Sequence, residues 1–316
     1  MLQYFRVIIM VIVVKQVAML FIMLITGYVL GALKLAKHEQ TKILSVLLVY
    51  VFLPCNIFKT FLSNFTPETV IEKCKLLIIS ACVIAVVSVC MHFFSKLLTK
   101  ESYKRMVYRY SLSIPNYAYI GYPLAEGLFG ESALMDVIVC TPPMACLSNT
   151  VGYASLTKTK LSLKRIFRPM IIAIILGAIC GMLRLQMPQL VSDIINKNAA
   201  CMSPVSMLLS GIVISGFNLK NLFTDKMNYL IVLMRLVVIP AAVFFALKAI
   251  FGVQTALPFF LIYAMPCGFN TIIFARIADE NCETGASLAV ISLILSCVTI
   301  PLLIELLGLG GLICIR

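Results

Sequence analysis

Two short polar segments, each built around a proline, interrupt hydrophobic runs in the two halves of this 316-residue chain. They read SIPNYAYIGYPL at residues 113–124 and AMPCGFNTIIFA at residues 264–275. A proline removes one backbone donor from its helix and clashes with the preceding turn, so carbonyl and amide groups are left exposed. Lipid cannot satisfy such groups, which persist at membrane depth only where they line a cavity or face protein. A matched pair of broken helices therefore points to a solute-binding site near the membrane midplane.

The composition indicates a membrane protein, because 61% of the residues are hydrophobic and only 12% are charged. One crossing needs about 20 apolar residues. We therefore predict an all-α, polytopic membrane protein with ten transmembrane helices and no separate soluble domain. The predicted spans are residues 7–33, 42–62, 74–97, 106–129, 133–157, 169–186, 197–218, 227–250, 255–278 and 284–308.

The two halves of the chain resemble each other when they are shifted by about 150 residues. We assign residues 1–157 to a first repeat of five helices, residues 158–168 to a cytoplasmic linker, and residues 169–316 to a second repeat. Because five is an odd number, the second repeat must enter the membrane from the opposite face, which makes the repeat inverted. The matched residues are Gly27 with Gly177, Gly31 with Gly181, Pro54 with Pro204 and, one residue further, Pro115 with Pro266.

The net charge of +13 raises the question of nucleic-acid binding, but the distribution of the cations argues against it. Sixteen of the 26 Lys and Arg residues fall in loops on one predicted face, and eight fall on the other. The richer face belongs in the cytoplasm, so both termini are predicted outside the cell membrane. The basic loops orient the protein and meet anionic lipid headgroups.

The residues around the two breaks resemble the auxin efflux carrier family, which includes the plant PIN-FORMED exporters and bacterial malate permease-like carriers. The fourth predicted helix has the matching residues Pro115-Asn116, Gly121-Tyr122-Pro123-Leu124 and Phe129-Gly130, and the ninth has Pro266, Gly268 and Phe274-Ala275-Arg276. Plant members usually have a lysine in place of Arg276. The resemblance implies a bile-acid symporter-type fold, in which helices 1, 2, 6 and 7 form a scaffold that can dimerise. Helices 3–5 and 8–10 then form a mobile transport domain whose broken helices 4 and 9 cross at the solute.

The resemblance also implies that Asn116 contacts a bound carboxylate beside the crossover prolines Pro115 and Pro266. The physical chemistry agrees, because a resumed helix offers free amides and a partial positive charge to an anion. The second break differs, since Cys267 and Gly268 follow its proline and the first amide side chain is Asn270. Asn270 is either a second donor to the solute or the cap of the resumed helix.

Several other residues allow two interpretations. Tyr117 and Tyr119, with Tyr122, either line a pocket or pack against neighbouring helices. Asn56 either contacts the solute or bridges to another helix. The pairs of glycines spaced by four residues suit close helix packing better than a direct transport role.

Four charged residues are candidates for coupling or gating. Glu126 and Asp136 bracket the predicted outer loop, where they are either proton carriers or solvated side chains. Arg276 either snorkels to the inner headgroups or gates the inner exit. Arg235 lies inside the eighth span and needs carboxylates, carbonyls or water around it.

These features predict a secondary transporter of a small organic anion, such as an auxin-like acid or malate, that works by alternating access. We expect efflux, although uptake coupled to sodium or protons stays open. No Walker A motif and no H-E-x-x-H or G-x-S-x-G motif occurs in the sequence, so an enzyme is not expected. We expect no cofactor other than a coupling sodium ion or proton, and no metal site, since His38 and His92 are far apart. A sodium-coupled bile-acid-type symporter, a cation/proton antiporter and a non-transporting membrane receptor remain the alternatives.

Overall fold

The computed structural model describes residues 2–36, 41–162 and 169–312, and within these ranges the chain is helical. The only bridge between extended segments in the described residues joins Pro115 to Cys267. The helices are α1 (Leu2–Ala32), α2 (Thr41–Asn64), α3 (Val70–Leu98), α4 (Ser102–Ser113), α5 (Tyr117–Cys140), α6 (Pro142–Thr157), α7 (Pro169–Met182), α8 (Gln189–Ser215), α9 (Leu219–Leu222), α10 (Lys226–Phe251), α11 (Val253–Tyr263), α12 (Asn270–Ile277) and α13 (Glu283–Leu306).

Each predicted span coincides with a helix or with two consecutive helices. Six helices in the described residues are long and apolar enough to cross a membrane, and there are seven if the bent pair α5 and α6 counts as one span. Two further apolar helices, α7 and α11, are shorter than a full crossing. The chain is thus a multi-pass membrane protein. Of the predicted linker, residues 163–168 lie outside the described part of the chain, as do residues 1, 37–40 and 313–316 of the two predicted repeats.

Two glycines with positive φ separate helices where the sequence predicts a turn between spans. Gly130 has φ 83° and ψ −177° and divides α5 into two helical parts, at the predicted boundary of the fourth and fifth spans. Gly252, with φ 85° and ψ 172°, separates α10 from α11 in the same way. Side chains with a Cβ are strained in this conformation, so glycine is the residue that permits the kink in α5 and the break between α10 and α11.

Pro54, Pro123 and Pro240 each lie inside a helix just after a widened π-helical turn. The proline ring clashes with the carbonyl four residues earlier, and in each case that carbonyl belongs to the π turn, whose hydrogen bonds reach five residues back. The helices therefore continue through these prolines instead of breaking. The turns are Leu48–Phe52 before Pro54, Tyr117–Gly121 before Pro123 and Met234–Val238 before Pro240.

Glycines bring α1 against α8 and α7 against α2. A Cβ at Gly27 would overlap the backbone of Leu208, and one at Gly177 would meet Phe58 and Phe61. Likewise, Gly31 meets Ser215 and Gly181 meets Phe65. Leu208 and Ser215 lie 150 residues after Phe58 and Phe65, so the contacts repeat with the same shift as the glycines themselves. Close backbone approach is the role of these small residues.

The helices differ in how deeply they lie in the protein. In an 18-residue apolar stretch of α13, 67% of the residues are buried in the protein, compared with 22% in the corresponding stretches of α1 and α2. An exposed apolar helix suits a position against lipid, whereas α13 lies in the interior beside α10 and α12. This arrangement surrounds both polar breaks with protein.

Candidate functional site

The two breaks predicted from the sequence meet in space. α4 ends at Ser113 and α5 begins at Tyr117, while α11 ends at Tyr263 and α12 begins at Asn270. The extended segments between them run antiparallel, with Pro115 opposite Cys267. The Asn116 backbone N–H donates to the Pro266 carbonyl over 2.8 Å. Each break therefore satisfies part of the backbone that the other exposes.

A third helix supports the crossing. The Cys267 backbone N–H donates to Ser292 Oγ on α13 over 2.9 Å. The Cys267 side chain is buried, with its sulfur 4.0 Å from the Ser111 carbonyl. Cys267 and Pro266 thus hold the crossing through their backbones, and neither lines the adjacent cavity.

Arg235 is a fully buried cation that joins the ends of both half-helices. Its Nε donates to the Met265 carbonyl over 3.2 Å, and its Nη1 donates to the Leu112 carbonyl over 2.9 Å. Its guanidinium also lies over the Tyr263 ring, 5.5 Å from the centroid. Carbonyls at a helix C-terminus have no intrahelical partner and carry partial negative charge, which suits a cation there. Within the described ranges no carboxylate pairs with Arg235, and its Nη2 has no hydrogen-bond partner.

A cavity of about 110 Å³ opens beside the crossover. Asn116 is only 6% exposed, and its side-chain Nδ2 has no hydrogen-bond partner among the described residues. An unpaired buried donor is costly, so this amide is available to a ligand in the cavity. The cavity is lined by Pro115, Asn116, Tyr117, Ala118 and Tyr119 from the first break, by Gly268 and Asn270 from the second, and by Val49, Leu53, Ala145, Ser148, Asn149 and Met170.

Asn270 lines the cavity but does not cap the resumed helix, because the residue in the capping position of α12 is Phe269. Its Nδ2 donates to the Tyr110 hydroxyl over 2.9 Å and lies 3.4 Å from Ser148 Oγ. The Tyr110 and Ser148 hydroxyls are 2.5 Å apart. Asn270 thereby ties α12 to α4 and α6 at the edge of the cavity.

Tyr110, Ser148 and Asn149 were not predicted from the sequence as site residues. A signal for two of them was present, because Ser148-Asn149-Thr150 is a polar run inside an apolar span, and polar residues within membrane helices often mark solute pathways. Tyr110 gave no such signal, since tyrosine is equally common in helix packing.

Two of the predicted residues lie in a separate cavity. Asn56 and Glu126 line a space of about 130 Å³ between α2, α5 and α8, together with Lys59. Asn56 is buried, and its Oδ1 has no hydrogen-bond partner in the described part of the chain. Neither residue lines the crossover cavity.

The other charged candidates also lie away from the crossover cavity. Asp136 forms an ion pair with Lys73 of α3, so it is not a freely solvated carboxylate. Arg276 is exposed near the end of α12, with its guanidinium 5.4 Å from the centroid of the Phe217 ring. No group of three or more His, Cys, Asp or Glu residues suitable for a metal occurs in the described ranges.

Comparison with known proteins agrees with these features. A family model described as "membrane transport protein" matches residues 12–159 and again residues 153–304. An uncharacterized transporter of Methanocaldococcus jannaschii is 27% identical over 125 residues, which is 39% of this chain and 41% of that protein. The alignment therefore spans less than half of the relative. Because the family model covers nearly the whole chain in two matches, the chain belongs to the membrane transport proteins of the auxin efflux carrier family.

Proposed function

We propose that this protein is a secondary transporter of a small organic anion and binds that anion at the crossover of its two broken helices. The observation that carries the proposal is the unpartnered Asn116 amide, which is buried at a cavity between the starts of two half-helices. It provides hydrogen-bond donors without a full charge, as a releasable anion requires.

The electrostatics of the crossover favour an anion over a cation. α5 and α12 both begin at the cavity, and the N-terminus of a helix carries partial positive charge. Arg235 adds a full positive charge to the same crossing. A sodium ion at the crossover would be repelled by these positive charges. The arrangement therefore disfavours a transported cation, and it also disfavours a coupling sodium ion next to the bound anion.

The cavity volume supports a compact substrate. Pockets for drug-sized ligands measure about 300–1,000 Å³, whereas this cavity measures about 110 Å³. A short carboxylate of the malate type suits this volume better than an auxin-like aromatic acid, although Tyr117 and Tyr119 line the same cavity.

In the mechanism we propose, two inverted five-helix repeats form a scaffold and a moving transport domain. The glycine contacts of α1 with α8 and of α2 with α7 support the scaffold, which is also the surface we propose for a homodimer. The transport domain carries the crossover from one side to the other. We place both termini outside the cell. An inside-negative membrane potential assists export of an anion by about 2.3 kcal/mol per charge per 100 mV. Export then needs neither a coupling sodium ion nor a proton.

The test is thermal stability of the purified protein with a panel of organic anions at varied sodium concentration and pH. A ligand that binds the folded state raises its apparent stability by mass action. We expect one class of carboxylates to stabilise the wild type without sodium, and Asn116→Ala to lose that response at an unchanged baseline. Asn198→Ala is the matched control, because its amide bonds only the Ile194 carbonyl of its own helix.

Flux into liposomes checks direction and coupling. We expect uptake of the stabilising anion to follow an imposed potential and to be independent of sodium. The proposal fails if sodium or protons stabilise the protein while no anion does, or if Asn116→Ala responds like the wild type.

A further inference from the structure

A larger cavity lies away from the crossover, between α3, α4 and α6. Its volume is about 460 Å³, roughly four times that of the crossover cavity. All three helices run along it, and its lining is almost entirely apolar apart from two small groups of polar side chains. One group consists of His92, Arg109 and Ser155, and the other consists of Ser88 and Ser113, about one helical turn away. None of these residues contributes to the crossover cavity.

A cation without a counter-ion marks one end of this cavity. Arg109 Nη1 is 3.1 Å from His92 Nδ1, and Arg109 Nη2 donates to Ser155 Oγ over 3.0 Å. Because a guanidinium has no acceptor, His92 Nδ1 accepts, and this imidazole is neutral. No carboxylate within the described residues pairs with Arg109. A half-buried charge in a membrane helix normally has a partner, and an anionic ligand would supply one.

Two hydroxyls lie at the next level of the cavity. Ser113 is one turn after Arg109 on α4, about 6 Å along the helix axis. The Ser113 side chain is 3% exposed, and its Oγ has no hydrogen-bond partner among the described residues. The Oγ of Ser88 on α3 is likewise buried without a partner. Both hydroxyls can donate to a carbonyl oxygen that enters between the helices.

The outer side of the cavity is open and apolar. Val89, Phe93 and Val151 are 56%, 62% and 42% exposed, respectively. On a membrane-spanning helix such exposed apolar side chains face acyl chains. Lys96 lies over the Phe93 ring, 5.1 Å from its centroid, and adds a second cation at the Arg109 end.

We propose that this groove binds an anionic phospholipid. The phosphate would pair with Arg109 near Lys96, the ester carbonyls would accept from Ser113 and Ser88, and an acyl chain would cover Val89, Phe93 and Val151. A small soluble anion would leave the apolar walls uncovered, and a fatty acid would lack ester carbonyls for the two hydroxyls. Because the groove and the crossover cavity share no lining residue, this proposal is independent of the transport proposal.

The experiment titrates the delipidated protein in neutral detergent with short-chain phosphatidylglycerol and measures the rise in melting temperature. Arg109→Gln should raise the half-saturating lipid concentration by about tenfold or more, because it removes a charge-assisted contact with phosphate. Val151→Phe narrows the opening and should weaken binding without touching a charge. Arg109→Lys should retain partial binding. Arg105→Gln is the matched control, since Arg105 lies on the same helix, does not line the groove and bonds the Thr99 and Lys100 carbonyls.

Three other ligands identify what the groove recognises. Phosphatidylcholine with the same chains tests the headgroup charge, glycerol phosphate tests the phosphate without acyl chains, and decanoate tests a fatty acid. We expect all three to stabilise the protein less than phosphatidylglycerol does. Equal stabilisation by any of them overturns the proposal, as does an unchanged response of both Arg109→Gln and Val151→Phe. If Arg109→Gln does not fold, Val151→Phe is compared with Arg105→Gln. The proposal fails if the two variants have the same half-saturating concentration of phosphatidylglycerol.

Discussion

At the residue scale, the crossover depends on a few polar side chains that replace missing helical hydrogen bonds. A break in a helix leaves carbonyls at the end of one half and amides at the start of the other. Arg235 binds two of the carbonyls, the Asn116 backbone N–H bonds the Pro266 carbonyl, and the Asn116 side-chain Nδ2 is left for a ligand. A cation and an uncharged donor thus lie at the same crossing, and the donor lines the cavity.

Replacing Arg235 by Met should weaken anion binding more than it changes folding stability. The variant leaves two buried carbonyls unpaired, at about 1–3 kcal/mol each. It also relieves the desolvation of a buried charge, which costs several kcal/mol. Because these terms oppose each other, we expect the free energy of unfolding to change by less than about 3 kcal/mol, while anion affinity falls at least tenfold. Thermal melts with and without the anion measure both quantities, and an unchanged affinity would exclude an electrostatic role for Arg235.

The Asn270 amide and the Tyr110 hydroxyl should be energetically coupled. Their contact of 2.9 Å is one of the links between α12 and α4. In a double-mutant cycle, Asn270→Ala and Tyr110→Phe should show a coupling of about 0.5–1.5 kcal/mol in the free energy of unfolding. Tyr103→Phe serves as the control partner, because its hydroxyl bonds the Leu156 carbonyl instead. Additive effects of Asn270→Ala and Tyr110→Phe would show that the contact contributes nothing measurable.

At the scale of helices, glycines and prolines act in opposite ways along the chain. The glycines of α1 and α7 allow other helices to approach closely, and Gly130 and Gly252 adopt the positive φ at the kink in α5 and between α10 and α11. The helices are broken at Pro115 and Pro266, whereas α2, α5 and α10 continue through Pro54, Pro123 and Pro240, which follow π turns that accommodate them. A π turn is one way in which a helix accommodates a proline, since α11 and α13 continue through Pro258 and Pro301 without one.

Adding one methyl group at Gly27 should loosen the contact of α1 with α8. The Cβ of Gly27→Ala would overlap the Leu208 carbonyl, and a backbone atom cannot rotate away. We expect a loss of about 1–3 kcal/mol in the free energy of unfolding, as for other overpacked contacts. Gly311→Ala is the control, since its Cβ would meet no atom within 4 Å. Equal melting temperatures for the two variants would mean that α1 can shift at no cost.

At the scale of the whole molecule, ion pairs outside the apolar helices join the two halves of the chain. Lys104 pairs with Asp225 over 2.6 Å, Lys158 pairs with Glu280, and Glu68 pairs with Arg184. Lys104 and Asp225 are partly exposed, so each such pair contributes modestly. Asp225 also accepts from the Met227 backbone N–H and caps α10.

Stability should depend on Asp225 in acid. Partial burial acts to raise the pKa of Asp225, but hydrogen bonds from Lys104 and from the Met227 N–H outweigh it and hold the pKa below its usual 3.8. A carboxylate with a lowered pKa stabilises the folded state above its ordinary pKa, and this stabilisation is lost as the pH falls through the folded pKa. The melting temperature of the wild type should exceed that of Asp225→Asn near neutral pH, and the difference should shrink below about pH 4.

The control for this pH series is Lys104→Met, which removes the cation but keeps the cap. Its melting temperature should lose less on acidification than that of the wild type, because part of the cause of the lowered pKa is gone. If the wild type and Asp225→Asn differ in melting temperature by the same amount at pH 3 as near neutral pH, the Asp225 charge does not stabilise the fold.

Much of the architecture followed from the sequence alone. Hydrophobic length predicted where helices lie, because a membrane span must satisfy its own backbone and cover itself with apolar side chains. The proline segments predicted two breaks, and the repeated glycines predicted close packing, since each effect is local to a few residues. The structure contains helices in each predicted range, and its two breaks meet.

What only the tertiary structure decided is which side chains share a cavity. Asn56, Glu126 and Asp136 carry suitable chemistry but lie in other spaces, whereas Tyr110 and Ser148 reach the crossover through contacts between distant helices. The partners of Arg235 are the carbonyl of Leu112 on α4 and that of Met265 just after α11, and neither contact could be predicted from the sequence. Periodicity shows which face of a helix is apolar. The neighbour of each face depends on how the helices of the described residues pack together, and that is a property of the whole fold.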